Sequence, residues 1–336
     1  MSKRLATLLF VLLTAVAAPA LQAGSVDEDR ASAEQGDRDG QYRLAQRYAA
    51  GKGVKRDAAM AADWYRKAAL QGHMKAQTNL GNLYRTGKGV GKDYGEAMRW
   101  YRKAAGQGDT KSKINIAMMY ADGQGVDMDE AKGLKWLEEA AGEGDTQAMV
   151  HLGNLYRTGK GSAGKNLAES TLWFRLAATK GDAVAQHNLG LSYFTGKGNT
   201  KDYAESVQWH RKAAKKGYPP AEYSMGLRYA KGNGVKQDAS EAASWYRKAS
   251  KHGHTGAQNN LGLMYRKGEG VKQDYGEALK LFRQAAERGH VHAQFNLGNM
   301  YLKGQGVTQD RQEAKTWFTR AAEKGHKGAK KALGSM

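Results

Sequence analysis

The tryptophans of this chain all occupy one position of a repeating unit. Most neighbours in the series lie 36 residues apart, and the series is Trp64, Trp100, Trp136, Trp173, Trp209, Trp245 and Trp317. Leu281 fills the slot that lacks a tryptophan. A second series keeps the same period: Tyr48, Tyr84, Tyr120, Tyr156, Tyr193, Tyr229, Tyr265 and Tyr301. A fixed period of this length predicts a solenoid, in which each unit buries its apolar face against its neighbours.

Each unit opens with a glycine and predicts two helices. In the second unit, Ala76, Leu80 and Tyr84 recur every four residues and form one apolar stripe, which predicts the first helix. A Gly-x-Gly pair such as Gly87 and Gly89 follows in all eight units, because glycine adopts the positive φ that ends a helix. The second helix then carries the tryptophan.

Residues suited to capping precede both helices. First helices begin after an aspartate or a histidine: Asp37, Asp109, Asp145, Asp182, His73, His254, His290 and His326. Most second helices begin at an aspartate with a glutamate three residues later, as in Asp93 and Glu96, which resembles a capping box. Large rings such as Trp100 and Tyr101 are expected to interlock with small residues such as Gly81.

The units share the pattern A-x-x-x-L-G-x-x-Y-x-x-G-x-G-V-x-x-D-x-x-x-A-x-x-W-Y-x-x-A-A, which resembles the Sel-one-like repeat, a relative of the tetratricopeptide repeat. The resemblance covers residues 36–324. It implies an all-α fold, a right-handed superhelical solenoid of antiparallel helix pairs with eight 36-residue repeats and a C-terminal capping helix. It also implies an adaptor or scaffold for protein complexes, in bacteria often exported and involved in envelope assembly, signalling or host contact.

The N-terminus has the layout of a secretory signal peptide. Basic Lys3 and Arg4 precede an apolar run in residues 1–23, with cleavage expected after Ala20 or Ala23. We therefore predict a periplasmic or secreted protein, and the absence of cysteine gives no site for a lipid anchor. The remaining segments are residues 24–35, a linker or the start of the array, residues 36–324, the eight repeats, and residues 325–336, a capping half-repeat.

The net charge favours anionic partners. Removal of Lys3 and Arg4 lowers the formal charge from +20 to +18. Such a bias attracts acidic protein surfaces, acidic polysaccharide or anionic lipid over a long range, while export makes nucleic acid an unsuitable partner. The alternative is that lysine and arginine simply keep the outer helices solvated.

The motifs for chemistry are weak. The segment GKGSAGKN at residues 159–166 lacks the Ser or Thr and the preceding strand of a phosphate-binding loop. The histidine pairs His252/His254 and His290/His292 do not have the helical spacing of metal ligands. The Asp…Glu pairs recur in unit after unit, which favours capping over acid–base catalysis. We expect no cofactor, no metal and no catalytic residue.

The variable positions lie on the first helix, opposite its apolar stripe. By analogy with related solenoids this face lines a concave groove, and arginine, asparagine and a few rings suit an extended or helical peptide. The alternative is that these side chains pack between repeats. The candidate partner-binding residues are Tyr42, Asn82, Arg85, Asn154, Arg157, His187, Phe194, Tyr223, Arg266, Phe295 and Asn299.

A second candidate surface is a basic ridge on the second helices, where an anionic polymer could lie. Its members are Arg66, Arg102, Arg175, Arg211, Arg247 and Arg283. The sequence thus favours an exported adaptor that binds protein partners, with a binder of anionic glycan or peptidoglycan as the alternative. A β-lactamase-like hydrolase is implied only by a cysteine-rich branch of the resembled family, and this chain has no cysteine.

Overall fold

The structure, a computed structural model, describes residues 25–336. These residues form eighteen α-helices and one short 3₁₀ turn, with no strand among them. Within this part of the chain, every helix is too short or too polar to cross a membrane. The predicted signal peptide at residues 1–23 lies outside the described residues.

The helices alternate between first and second helices of the repeat. The first helices are α2 (Arg38–Ala50), α4 (Met74–Thr86), α6 (Thr110–Asp122), α8 (Thr146–Thr158), α10 (Ala183–Thr195), α12 (Pro219–Lys231), α14 (Thr255–Lys267) and α16 (Val291–Lys303). The second helices are α3 (Ala58–Leu70), α5 (Tyr94–Ala105), α7 (Glu130–Gly142), α9 (Leu167–Thr179), α11 (Tyr203–Lys215), α13 (Ala239–Lys251), α15 (Tyr275–Glu287) and α17 (Arg311–Glu323). The flanking helices are α1 (Val26–Glu34) and α18 (Lys327–Gly334).

The chain divides into two compact units, with the boundary after Ser112, inside α6. In the first unit, α1 to α4 each contact the next helix along the chain. In the second unit, α7 to α17 each contact the next helix as well. Each unit is therefore built from sequential helix pairs, as the period predicts.

The interlocking rings directly follow the tryptophan position of the repeat, which Leu281 occupies before Phe282. Tyr101 is fully buried against Gly81, where an added Cβ would lie 2.6 Å from the ring. The second unit repeats this contact in five pairs: Gly153 with Phe174, Gly190 with His210, Gly226 with Tyr246, Gly262 with Phe282, and Gly298 with Phe318. The expected contact between rings and small residues is confirmed, and the structure shows which ring of each pair makes it.

The indole rings lie nearer the surface than these neighbours. Trp100 and Trp317 are buried, and the other five are half-buried. Cations one turn later cover several of them, with the Lys67 ammonium 3.9 Å from the ring centre of Trp64 and the Lys212 ammonium 3.8 Å from that of Trp209. The tryptophans thus seal the edge of each interface, and the next ring fills its centre.

The predicted caps form, with one difference. His73 Nδ1 accepts from the Ala76 amide at 3.1 Å, and Asp93 accepts from the Glu96 amide at 2.9 Å. The Asp93 amide donates to the carbonyl of Tyr84 at 2.9 Å. That amide is already satisfied, so the Glu96 carboxylate has no donor to bond there and only the aspartate half of the capping box is present.

The two glycines of the Gly-x-Gly pair have different tasks. Gly87 ends α4 in the left-handed conformation, with φ of 72°. Gly89 also has φ of 72°, and a Cβ there would collide with the carbonyl of Ala58 at the start of α3. The first glycine therefore stops the helix, and the second lets repeat two approach the backbone of repeat one.

Candidate binding surfaces

Several residues of the predicted groove hold successive repeats together. In the first unit, Tyr42 stacks on His73 with ring centres 4.3 Å apart and lies 5.8 Å from Tyr65. His73 caps α4 at the same time. Tyr42 thus fills the space between its own helix pair and the next first helix, which supports the inter-repeat alternative for this residue.

The same arrangement recurs in the second unit. Tyr223 stacks on His254 at 4.3 Å, and Phe295 stacks on His326 at 4.4 Å. Each of these ring-bearing residues is half-buried. Their main contacts are internal, so an external partner would reach only the ring edges.

The amide and arginine residues of the groove divide into two groups. Asn82 accepts from the Tyr101 hydroxyl at 2.7 Å, and Arg85 lies beside the same hydroxyl. Asn299 donates to the carbonyl of Phe295 at 3.0 Å, and Arg266 is half-buried on α14. Asn82 and Asn299 are therefore engaged in intramolecular hydrogen bonds.

Asn154 and Arg157 belong to the second group, which faces open space. Arg157 donates to Asn154 at 2.9 Å, and Arg157 is exposed. A cleft of about 310 Å³ opens next to this pair and is also lined by Met118 and His151. Met118 is 46% exposed although its side chain is apolar.

The cleft has a cause in the sequence of repeat three. Position 137 corresponds to Tyr101 and Phe174 in the neighbouring repeats and holds Leu137. Leucine fills less space than a ring and also lines the cleft. The adjacent first helix carries Ala117 where most repeats have glycine, and Ala117 and Leu137 share one core cluster. Repeat three thus replaces a Gly–ring contact by a smaller Ala–Leu contact, which leaves the cleft open.

A second cleft lies on the other side of Arg157. It has a volume of about 220 Å³ and is lined by Asn188, Leu191 and Lys197 as well as Arg157. Leu191 is 36% exposed. We call the surface formed by Met118, His151, Asn154, Arg157, Asn188 and Leu191 the first-helix face, since these residues lie on α6, α8 and α10.

The first-helix face is basic and apolar. Lys160 joins Arg157 in the first cleft, and Lys197 joins it in the second. Neither cleft has an acidic residue in its lining. This combination suits a segment that carries apolar side chains and carboxylates.

Arg228, His187 and His210 form a cluster at the end of this face, and His187 and Phe194 are two of the predicted groove residues. Arg228 is 5% exposed, and its guanidinium carbon lies 3.4 Å from the ring centre of Phe194. The rings of His187 and His210 lie 5.2 Å apart. Burial lowers the pKa of His187 to about 4 and that of His210 to about 3, so both are neutral at physiological pH.

Sequence reasoning missed Arg228, although the repeat carries a signal for it. Arg47 occupies the corresponding position in repeat one and is paired with the buried carboxylate of Asp29. The position that corresponds to Asp29 before Arg228 holds His210. The ring of Phe194 and the carbonyl of Ser224 therefore take the place of a carboxylate.

The ridge arginines have an internal role. Five of them donate to a tyrosine hydroxyl 18 residues later: Arg66 to Tyr84 at 3.1 Å, Arg175 to Tyr193 at 3.1 Å, Arg211 to Tyr229 at 3.4 Å, Arg247 to Tyr265 at 3.1 Å, and Arg283 to Tyr301 at 2.5 Å. Arg102 is exposed on α5. These bonds tie one repeat to the next, and an additional role in polymer binding stays a prediction.

The sites considered for metal or nucleotide have a structural explanation. Residues 25–336 contain no group of three or more metal-ligating side chains. His254, His290 and His326 each cap the helix that follows them through Nδ1. In the loop at residues 159–166, Gly161–Ala163 forms the 3₁₀ turn, and Asn166 caps α9.

These contacts define an all-α protein of stacked helical repeats. The chain belongs to the Sel1 repeat family, whose profile matches residues 38–73, 75–109, 110–145, 146–182, 183–218, 219–254, 255–290 and 291–326. This confirms the family resemblance and the helical solenoid fold.

Two solved structures are similar over most of the chain. One is c5321, a protective antigen of uropathogenic Escherichia coli strains with an SLR fold, at a TM-score of 0.76 and 32% identity over 93% of this chain and 67% of that one. The other is a Sel1 repeat protein from Oxalobacter formigenes, at a TM-score of 0.73 and 33% identity over 92% of this chain and 90% of that one. No curated protein matches the sequence.

Proposed function

We propose that this chain is an exported scaffold that holds a segment of a partner protein along its first-helix face. The observation that carries the proposal is the pair of clefts on either side of Arg157, together with the exposed apolar residues Met118 and Leu191. Helical repeat proteins of this family typically bind other proteins, which supports the same function.

The chemistry of the face favours a segment with apolar and acidic side chains. An apolar side chain would enter the cleft at Leu137, where repeat three lacks a ring. A carboxylate would pair with Arg157, which stands between the clefts and can form two parallel hydrogen bonds. Burial of one such side chain contributes about 1.5–3 kcal/mol, so two clefts used together give moderate affinity.

Export is part of the proposal and rests on the sequence of residues 1–23. The similar protein c5321 is a protective antigen present in uropathogenic Escherichia coli strains, and this similarity supports export of the present chain. The partner would then be a protein of the cell envelope or the cell surroundings.

The test compares capture by three versions of the full-length chain expressed in its native envelope. Met118→Glu with Leu191→Glu places two charges in the first-helix face. Leu172→Glu with Leu176→Glu is the matched control, because these exposed leucines lie on the second helix α9. We expect one set of captured proteins with wild type and control, and its loss with the first-helix variant. Equal capture by all three versions would reject the proposal.

A further inference from the structure

The second helices contain a slot that a tryptophan fills in seven of the eight repeats. In the first unit, Trp100 packs in one cluster with Tyr65 and Ala69 of the preceding second helix. In repeat seven, Leu281 takes this place and packs in one cluster with Tyr246 and Ala249 of α13. The slot is therefore the same, and its occupant is smaller.

A cleft opens at this slot. It lies among α13, α14 and α15, has a volume of about 620 Å³, and is twice as large as the cleft of about 310 Å³ beside Leu137. Leu261 and Leu281 line it, and both are buried. The missing indole thus leaves an apolar floor that opens to solvent.

The polar groups of the cleft complement an indole. Gln258 is 5% exposed, and its Oε1 atom has no hydrogen-bond partner among the described residues. An indole N–H is a donor only. In repeat eight the Trp317 indole donates to the Glu313 carboxylate at 2.8 Å, and the corresponding Glu277 lines this cleft. Two guanidinium groups stand at the rim in fixed positions, Arg247 bonded to the Tyr265 hydroxyl at 3.1 Å and Arg288 bonded to the carbonyl of Gly253.

We propose that the cleft at Leu281 binds a tryptophan side chain presented by a partner polypeptide. The other repeats show what fits this slot, since all of them fill it with an indole. The lining also includes Glu277 and Glu287, which makes the cleft unsuitable for a simple anion. This site is distinct from the first-helix face, and either can fail without the other.

The test uses ligand-observed NMR saturation transfer with N-acetyl-L-tryptophanamide as the probe and N-acetyl-L-leucinamide as its control. Leu281→Trp supplies the missing indole from within the chain, and Leu172→Trp adds an indole on an exposed surface of α9. We expect saturation transfer to the indole protons with wild type and Leu172→Trp, and its loss with Leu281→Trp. Equal transfer to the tryptophan and leucine probes, or transfer that persists in Leu281→Trp, would overturn the proposal.

A second measurement needs no variant and so does not depend on the folding of one. Backbone amide shifts of the labelled wild-type chain are recorded during titration with the same tryptophan probe. We expect shifts confined to α13, α14 and α15, with Leu261 and Leu281 among those affected. Shifts centred elsewhere, or none, would contradict the assignment of this slot.

Discussion

The contact between a glycine and a buried ring gives a quantitative prediction at Gly153. An alanine there would place its Cβ 2.7 Å, 2.8 Å and 3.0 Å from three atoms of the Phe174 ring. Real carbon contacts are not this short, and Phe174 is fully buried, so the ring or the helix must shift. We expect Gly153→Ala to destabilise repeat four.

The magnitude follows from two opposing effects. Overpacking of a close-packed core costs about 1–3 kcal/mol. Replacement of glycine by alanine inside a helix offsets about 1 kcal/mol of that cost. Three short contacts with a fully buried ring place the cost at Gly153 in the upper part of that range, about 2–3 kcal/mol, so the net loss of unfolding free energy is roughly 1–2 kcal/mol. Gly142→Ala is the matched control, because nothing lies within 4 Å of a Cβ at the exposed end of α7, and it should be neutral or slightly stabilising.

Repeat three supplies a second variant that tests the same contact. It combines Ala117 with Leu137 in place of glycine and a ring. Phe174→Leu alone should cost roughly 1–2 kcal/mol through the space it leaves. In the double variant, the new methyl group of Gly153→Ala occupies part of that space. The loss of unfolding free energy in the double variant should therefore be smaller than the sum of the two single losses.

The assay is urea unfolding followed by circular dichroism, with hydrogen exchange of α8 and α9 to show that the effect is local. Two results would show that the contact between Gly153 and the Phe174 ring is not close-packed. One is Gly153→Ala with the stability of wild type, and the other is a double variant whose loss equals the sum of the single losses.

Two further predictions concern single residues of the second unit. His210 is neutral when folded because burial lowers its pKa to about 3, so its contribution to stability is complete above its unfolded pKa of 6.5 and is lost as the pH falls toward the folded value. Between about pH 7.5 and about pH 5 this loss of unfolding free energy is about 2 kcal/mol. His210→Phe should remove this loss from the pH dependence of urea unfolding. A pH dependence that His210→Phe leaves unchanged would exclude a buried neutral imidazole at this position. Asp238→Ala removes the cap of α13 and should cost about 1 kcal/mol in the same assay, whereas Lys236→Ala in the preceding loop should have no effect.

The repeat period predicts most of the fold. Each unit must bury the same stripe against its neighbour, so recurring residues such as Ala76 and Leu80 identify the core directly. The caps were also predictable, because Asp93 and His73 stand where a helix must begin. Family membership then fixes the helical solenoid class.

The sequence did not distinguish Trp100 from Tyr101 as the ring against Gly81. Adjacent residues on a helix point about 100° apart, and the crossing of the two helices decides which one faces the neighbour. The hydrogen bonds between ridge arginines and tyrosines have the same origin. Arg66 and Tyr84 are 18 residues apart and meet only when the next first helix is in place.

The candidate site was predictable only in part. Variation between repeats marked Tyr42 and Tyr223 as candidate binding residues. Each of these rings instead stacks on the histidine that caps the first helix of the following repeat, His73 or His254. The clefts depend on missing volume, as at Leu137. A missing ring is visible in the sequence only after the structure shows which position the ring occupies.

We propose above that the first-helix face of repeats three to five holds a partner protein. Photo-crosslinking in the native envelope tests this contact directly. A photoreactive residue is placed at position 154 or, for comparison, at position 172. Each is introduced into chains with and without Ala117→Gly and Leu137→Phe. That pair restores the glycine–ring contact of the other repeats and closes the cleft. We predict a discrete crosslinked partner from position 154 only, lost when the cleft is closed. Crosslinks that are equal at both positions, or that persist with the cleft closed, would show that the first-helix face does not hold the partner.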